Sequence, residues 1–344
     1  MNEQPFAFLT EALHEVAFDS EYARPILKPV TGPFAEVQSA LVKYHALGSD
    51  PSRVIIGATG VQHEPFLELV AKHFGGHRAK EGKRVADRQR ASTNYVGGVH
   101  HAISIEQRME DKRAHQLVTQ RMMEEMYGNE DALHHLNMEQ KEPEFSHVVI
   151  GFSGPAMLDP DFHATCVLNT LLGGGGSFSA GGPGKGMYAR MYLNVLNKQH
   201  WINHAQSFFN PYRQSSLFGV YAECQHESFW DLVETLVTEL LQLIKNPPNP
   251  VELTRAKNLL KSAIFSNLDL RAVGLDDLLR QTLYYGQRKP FEVHIHLIDA
   301  VTVDDILRVV SKMVSQPPTV VSHTHAKQQS TYDIIPVLKD FFKQ

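Results

Sequence analysis

The period with which apolar residues recur along the chain changes several times, and each change predicts an element. Val54-Ile55-Ile56 beside Gly57 is a short continuous apolar run, which predicts a buried strand over 53–58. From His63-Glu64-Pro65 onward, Phe66, Leu69, Val70 and Phe74 return at helical spacing, and Gly75-Gly76 ends the pattern. Residues 147–152 predict a second strand, closed by the turn Ser153-Gly154-Pro155. A helix over 159–172 carries Phe162, Cys166, Leu168 and Leu172, and a strongly amphipathic helix over 229–244 stops at Asn246-Pro247-Pro248-Asn249-Pro250. Two further helix starts are explicit. Asn249 can cap, Pro250 sits where a missing N–H is harmless, and Glu252 follows at the third position. Thr302 and Asp305 make the same kind of box ahead of Ile306, Leu307, Val310 and Met313. These elements predict an α+β fold with helices packed on mixed sheets.

Residues 37–56 align with 303–322 at a constant offset of 266 positions. Val37 meets Val303, Leu41 meets Leu307, Pro51 meets Pro317, and Val54-Ile55 meet Val320-Val321. Each segment reads as helix, proline break, buried strand, loop and final helix. The expectation is a duplicated protein lacking its N-terminal part. Residues 1–77 would close an incomplete first domain, 78–94 would link, and 95–344 would form the second domain. Residues 78–142 hold 11 Lys/Arg and 11 Asp/Glu, and 105–142 reads as a charged, solvated helical insertion.

Composition narrows the classes. The chain of 344 residues is 42% hydrophobic and carries a formal charge of −5, so no overall basic field invites nucleic acid. Two cysteines, Cys166 and Cys224, make no disulfide framework and no CxxC, which favours a reducing compartment. No apolar run reaches the roughly 20 residues that span a bilayer. Residues 1–10 show neither a signal peptide's apolar stretch nor an Arg-rich amphipathic one, so no targeting segment is expected there.

The most distinctive stretch is Gly173-Gly174-Gly175-Gly176-Ser177-Phe178-Ser179-Ala180-Gly181-Gly182-Pro183-Gly184-Lys185-Gly186, which holds eight of the 23 glycines. It is not a P-loop, because Gly184-Lys185 would need glycine at Ser179 and a hydroxyl at Gly186. It is not a dinucleotide fingerprint either, because Gly182-Pro183-Gly184 would need glycine at Met187. A flexible linker fits poorly between a buried helix and the patterned segment 187–197. Main-chain groups of such a loop can instead pair with an extended peptide without regard to its side chains. Phe178, Met187 and Tyr188 would add apolar contact, and Lys185 reads as solvated.

Residues 173–201 resemble the glycine-rich loop and following helix of the α-subunit family of mitochondrial processing peptidases, within the pitrilysin-type (inverzincin, M16) superfamily. Weaker resemblance runs through 11–18, 53–74, 95–98, 146–172, 252–268 and 280–289, whereas 105–139 falls outside the family pattern. The resemblance implies duplicated pitrilysin-like (LuxS/processing-peptidase-like) domains and a presequence-binding role for Gly173 to Gly186. It also implies a location in the mitochondrial matrix or on the matrix face of the inner membrane. The implied partners are a β-type subunit holding zinc through HxxEH and mitochondrial presequence peptides. A structural role as a core subunit of respiratory complex III, or a truncated inactive homologue, are the alternatives.

Catalysis is testable on the residues alone. An inverzincin needs two histidines one helical turn apart with glutamate beside the second. No Glu-His dipeptide occurs, and His14-Glu15, His63-Glu64 and His226-Glu227 lack the second histidine of HExxH. His163 on the 159–172 helix has no partner one turn on; neighbouring histidines such as His100-His101 and His134-His135 point apart on a helix, and His323/His325 has no carboxylate nearby in sequence. Neither catalytic residues nor a metal or other cofactor is expected on this chain. Arg280, Tyr284, Tyr285 and Arg288, on or after a helix end, are candidates to face the cavity the resemblance implies, although the helix dipole and solvent already account for arginines in such a place.

Overall fold

The computed structural model describes residues 5–19, 21–24, 26, 33–48, 54–75, 94–101, 145–176 and 187–324. In chain order these form α1 (Pro5–Ala17), α2 (Phe34–Gly48), α3 (His63–Phe74), β1 (Gly98–His101), β2 (Phe145–Gly154), α4 (Phe162–Leu172) and β3 (Gly174–Gly176). A π-helix, Met191–Leu196, then leads to β4 (Ile202–Pro211), β5 (Ser216–Gln225), α5 (Phe229–Lys245) and α6 (Pro250–Leu268). The described chain ends with α7 (Arg271–Tyr285), α8 (Phe291–Ala300), α9 (Val303–Val314) and β6 (Thr319–His323). Among the described residues the fold is α+β on one mixed sheet.

That sheet runs β1-β6-β2-β5-β4-β3, with β1 parallel to β6 and every other pair antiparallel. β2 and β5 pair over their full length, from Phe145↔Gln225 to Gly154↔Ser216. Their near-continuous burial follows from cover on both faces. On one face, Leu9, Leu13 and Ala17 from α1, with Phe18 just after it, pack on Val149, Phe208, Leu217, Tyr221 and Val321. Gly151 belongs to this face, where an added Cβ would lie 2.9 Å from Leu13. The alternate side chains of β2, among them Val148 and Ile150, are fully buried on the other face, where α4, α5 and α9 contact the sheet.

Two compact units emerge. One holds Met1–Ile26, Thr93–Leu259 and Ala300–Gln344, and the other holds Leu27–Ser92 and Leu260–Asp299. Residues 1–26 thus group with the sheet, ahead of the boundary expected at 77, because the apolar stripe of α1 is buried on it. Residues 78–93 of the expected linker and the whole 105–142 insertion lie outside the described residues.

The predicted helices at 63–74 and 229–244 form, the one expected over 159–172 starts at Phe162, helices follow both predicted starts at Asn249 and Thr302, and the strand at 147–152 forms. Asn249 Oδ1 accepts from the Glu252 N–H at 2.9 Å, and Thr302 and Asp305 exchange both bonds of a capping box. Of the strand expected at 53–58, the described residues 54–58 form none. Residues 54–58 take no strand pairing, and Val54, Ile55 and Ile56 are exposed, because among the described residues no strand lies beside them. An apolar run becomes a buried strand only where a neighbour satisfies its backbone.

Candidate functional site

The glycine-rich stretch starts where α4 stops. Gly173 takes a positive φ of 54° and its N–H donates to the Asn169 carbonyl at 2.8 Å, which ends the helix and turns the chain toward the sheet edge. Gly174 to Gly176 form β3, opposite Gln206, Ala205 and His204 of β4. Ser207 fastens this corner: its N–H donates to Gly173 O at 2.8 Å and its hydroxyl to Asn169 O at 2.9 Å.

Packing explains the first three glycines. A Cβ on Gly173 would lie 2.5 Å from Ala189 Cβ, and one on Gly175 would lie 2.5 Å from the Tyr192 hydroxyl. At Gly174, where φ is 113°, it would lie 2.1 Å from the Ala205 carbonyl oxygen. These positions are glycine because a side chain would collide with β4 and the π-helix. Ser177, Phe178, Ser179, Ala180, Gly181, Gly182, Pro183, Gly184, Lys185 and Gly186 lie outside the described residues.

The chain returns at Met187 and Tyr188, both exposed, and is pinned two residues later. Arg190 is buried and binds Glu252 through both carboxylate oxygens, Nε to Oε1 at 2.6 Å and Nη2 to Oε2 at 3.1 Å. Its Nη2 also donates to the Asn246 carbonyl at 2.9 Å, at the open end of α5. The π-helix that follows buries Met191, Tyr192, Val195 and Leu196. Both roots of the stretch, β3 and Arg190, are therefore fixed by the sheet-bearing unit.

Beside the second root lies a groove of about 1320 Å³ lined by Tyr188, Leu193, Asn194, Trp201, Glu239 and Arg255 among others. The Arg255 guanidinium stands 5.0 Å over the Tyr188 ring. Glu239 is only 6% exposed, and Asn194 Nδ2 donates to its Oε1 at 3.0 Å. Burial pushes its carboxyl above the usual range, against the Asn194 hydrogen bond and the nearby Arg190 charge. Asp231 and Glu234 add acid to the groove walls. The sequence reading missed Arg190, Asn194 and Glu239. One signal was available: Glu239 interrupts the stripe of Leu232, Leu236 and Leu243 on which the rest of α5 is buried.

At another end of the sheet His147 is buried. Its Nδ1 is 3.0 Å from the Tyr221 hydroxyl and 3.6 Å from Glu223 Oε2, and its ring stacks on His323. Burial, with help from His323, His226 and His204, lowers its pKa to about 4, so it is neutral at pH 7. Among the described residues no three His, Cys, Asp or Glu side chains group closely enough to hold a metal ion. Arg280 pairs with Asp276 at exposed positions and the exposed Arg288 with the half-buried Asp277, while the Lys289 ammonium stands 4.0 Å over the Tyr285 ring.

A family model described as the peptidase M16 inactive domain matches residues 39–260. The mitochondrial-processing peptidase α-subunit of Caenorhabditis elegans is 32% identical over 333 residues, covering 93% of this chain and 58% of the relative. The human α-subunit is 31% identical, with 97% and 59% covered. The Neurospora crassa α-subunit reaches 41% identity over 176 residues, half of this chain and 30% of the relative. The chain thus spans under two thirds of these relatives' length. A chain of complex III from Candida albicans superposes with a TM-score of 0.71 at 14% identity, over 97% of this chain and 70% of that one, a likeness of fold. With more than half of its residues matched by the family model, the chain belongs to the M16 peptidase family, among its inactive domains.

Proposed function

We propose that this chain is the non-catalytic, presequence-binding subunit of a mitochondrial processing peptidase, working beside a β-type subunit that holds zinc through HxxEH. The observation that carries the reading is a combination. The chain is related over nearly its whole length to α-subunits of that peptidase, and its sequence contains neither HxxEH nor HExxH. Without two histidines a turn apart and an adjacent glutamate, it has no means of activating a zinc-bound water by this chemistry. Its contribution is to hold the peptide, with no cofactor of its own. Its place is the mitochondrial matrix or the matrix face of the inner membrane.

Gly173 to Gly186 is the proposed peptide-binding loop. Two features support it. Its roots are anchored, by β3 pairing at one side and by the Arg190–Glu252 pair at the other. Met187 and Tyr188 offer exposed apolar area at the return. Main-chain pairing to an extended segment is indifferent to sequence, which suits a subunit that must accept many presequences. The complex III likeness extends to fold alone and brings no core-subunit role with it.

The test separates binding from folding. Deleting residues 177–184 leaves Gly173–Gly176 and Arg190 in place. In a fluorescence-anisotropy titration with a labelled presequence peptide, the deletion is expected to weaken binding at least about tenfold. Unchanged affinity would remove the loop from the site.

A further inference from the structure

The groove beside Tyr188 holds a buried acid that the glycine-rich stretch does not use. One wall is a side of α5, where Asp231, Glu234, Thr235, Thr238, Glu239 and Gln242 recur at helical spacing. At 1.5 Å per residue that wall runs about 17 Å. The π-helix, Trp201 and the start of α6 supply the other walls, where Leu193 and Val251 are exposed. The volume of about 1320 Å³ exceeds the roughly 300–1,000 Å³ usual for a small-molecule site, so the groove suits a length of peptide.

Charge decides what kind of side chain it takes. Its bases are Arg190, Lys198 and Arg255, and all three are engaged. Arg190 is bound to Glu252 and to the Asn246 carbonyl, and Arg255 stands over the Tyr188 ring. Lys198 Nζ donates to Asn194 Oδ1 at 3.5 Å, while Nδ2 of the same Asn194 donates to Glu239, so the amide stands between the ammonium and the carboxylate. Asp231, Glu234 and Glu239 form no ion pair among the described residues. Asp231 and Glu234 are exposed and solvated, but Glu239 is only 6% exposed and has one neutral donor. A carboxylate so far out of water lacks the solvation that a cation would restore.

We propose that this groove is a subsite for a cationic side chain, arginine or lysine, of a bound peptide, with Glu239 as the carboxylate that receives it and Leu193, Trp201 and Val251 as contacts for the apolar residues beside it. Asp231 and Glu234 extend the acidic wall outward and attract the same charge. The identity of the peptide rests on the reading of this chain as a peptide-holding subunit, whereas the preference of the groove for a cation does not.

The groove is therefore tested first without a presequence. In the full chain carrying Trp230→Phe, Trp201 is the only tryptophan, and its fluorescence reports the groove. N-acetylargininamide is expected to give a saturable change at millimolar concentration, with or without residues 177–184, and the neutral isostere N-acetylcitrullinamide none. Glu239→Gln keeps an acceptor for Asn194 and is expected to abolish the difference. A labelled presequence peptide is then expected to bind at least about tenfold more weakly when citrulline replaces its arginines, and Glu239→Gln to erase that preference. Equal response to the two amides, or a preference that survives Glu239→Gln, would overturn the proposal. Presequence binding that is lost with residues 177–184 yet indifferent to citrulline would overturn it too while leaving the proposed function standing. Argininamide binding that depends on Glu239, without any presequence binding, would support the groove and overturn the proposed function.

Discussion

Replacing Gly174 with alanine distinguishes a glycine held by packing from one held for a ligand. The new Cβ would sit 2.1 Å from Ala205 O and 2.7 Å from Gln206 Cα, both backbone atoms of β4. β4 is itself paired to β5 from Ile202 to Pro211, so it cannot retreat without breaking a second ladder. Overpacking of this kind costs about 1–3 kcal/mol. Holding a non-glycine residue at a φ of 113° adds about 1–3 kcal/mol. A loss of about 3 kcal/mol is therefore expected. Gly60→Ala is the control, since its φ of 73° is also positive but no atom lies within 4 Å of its Cβ. There only the conformational term of about 1 kcal/mol remains. Urea unfolding followed by far-ultraviolet circular dichroism, which reports the helices of both units, reads the difference, since Gly174 lies in the sheet-bearing unit and Gly60 in the other. If Gly174→Ala lost no more than Gly60→Ala, the packing explanation of β3 would fail.

Acid should weaken the same unit through His147. Its folded pKa of about 4 lies below the unfolded value of 6.5, so its contribution is intact above pH 6.5 and is lost as pH falls from 6.5 to 4. The shift corresponds to about 3 kcal/mol, and His147→Gln should flatten urea midpoints measured between pH 7 and 4.5; an unchanged slope would contradict the assignment. Arg190→Ala should destabilise by about 2–4 kcal/mol, because it strands the Glu252 carboxylate and the Asn246 carbonyl. The double variant Arg190→Met, Glu252→Gln should recover part of that loss in the same assay, and no recovery would argue against an ion-pair origin.

Much of the fold was legible because its signals are local. The caps at Asn249 and Thr302, and the stripes of α5 and α9, depend on residues a few positions apart. The strand 147–152 was legible because a buried central strand reads as a continuous apolar run. The same rule failed at 54–58, where identical chemistry lacks described neighbours, so the pattern reported a capacity to be buried and not burial itself. Within the site, the glycine-rich stretch was visible from composition, but the reason for its first glycines was not. That reason lies in Ala205, Ala189 and Tyr192, whose approach is set by sheet register. Arg190 was hidden because its partner Glu252 is 62 residues away, and in sequence Glu252 reads only as part of a helix start.

The central claim is that this chain binds presequences for cleavage by another subunit. Its most direct test is a cleavage assay on a fluorogenic presequence substrate with the purified chain, an HxxEH-bearing β-type subunit, and both together. No cleavage by this chain alone, slow cleavage by the β-type subunit, and a large gain on mixing that disappears when residues 177–184 are deleted are the expected results. Cleavage by this chain alone, or a mixture no faster than the β-type subunit, would contradict the account.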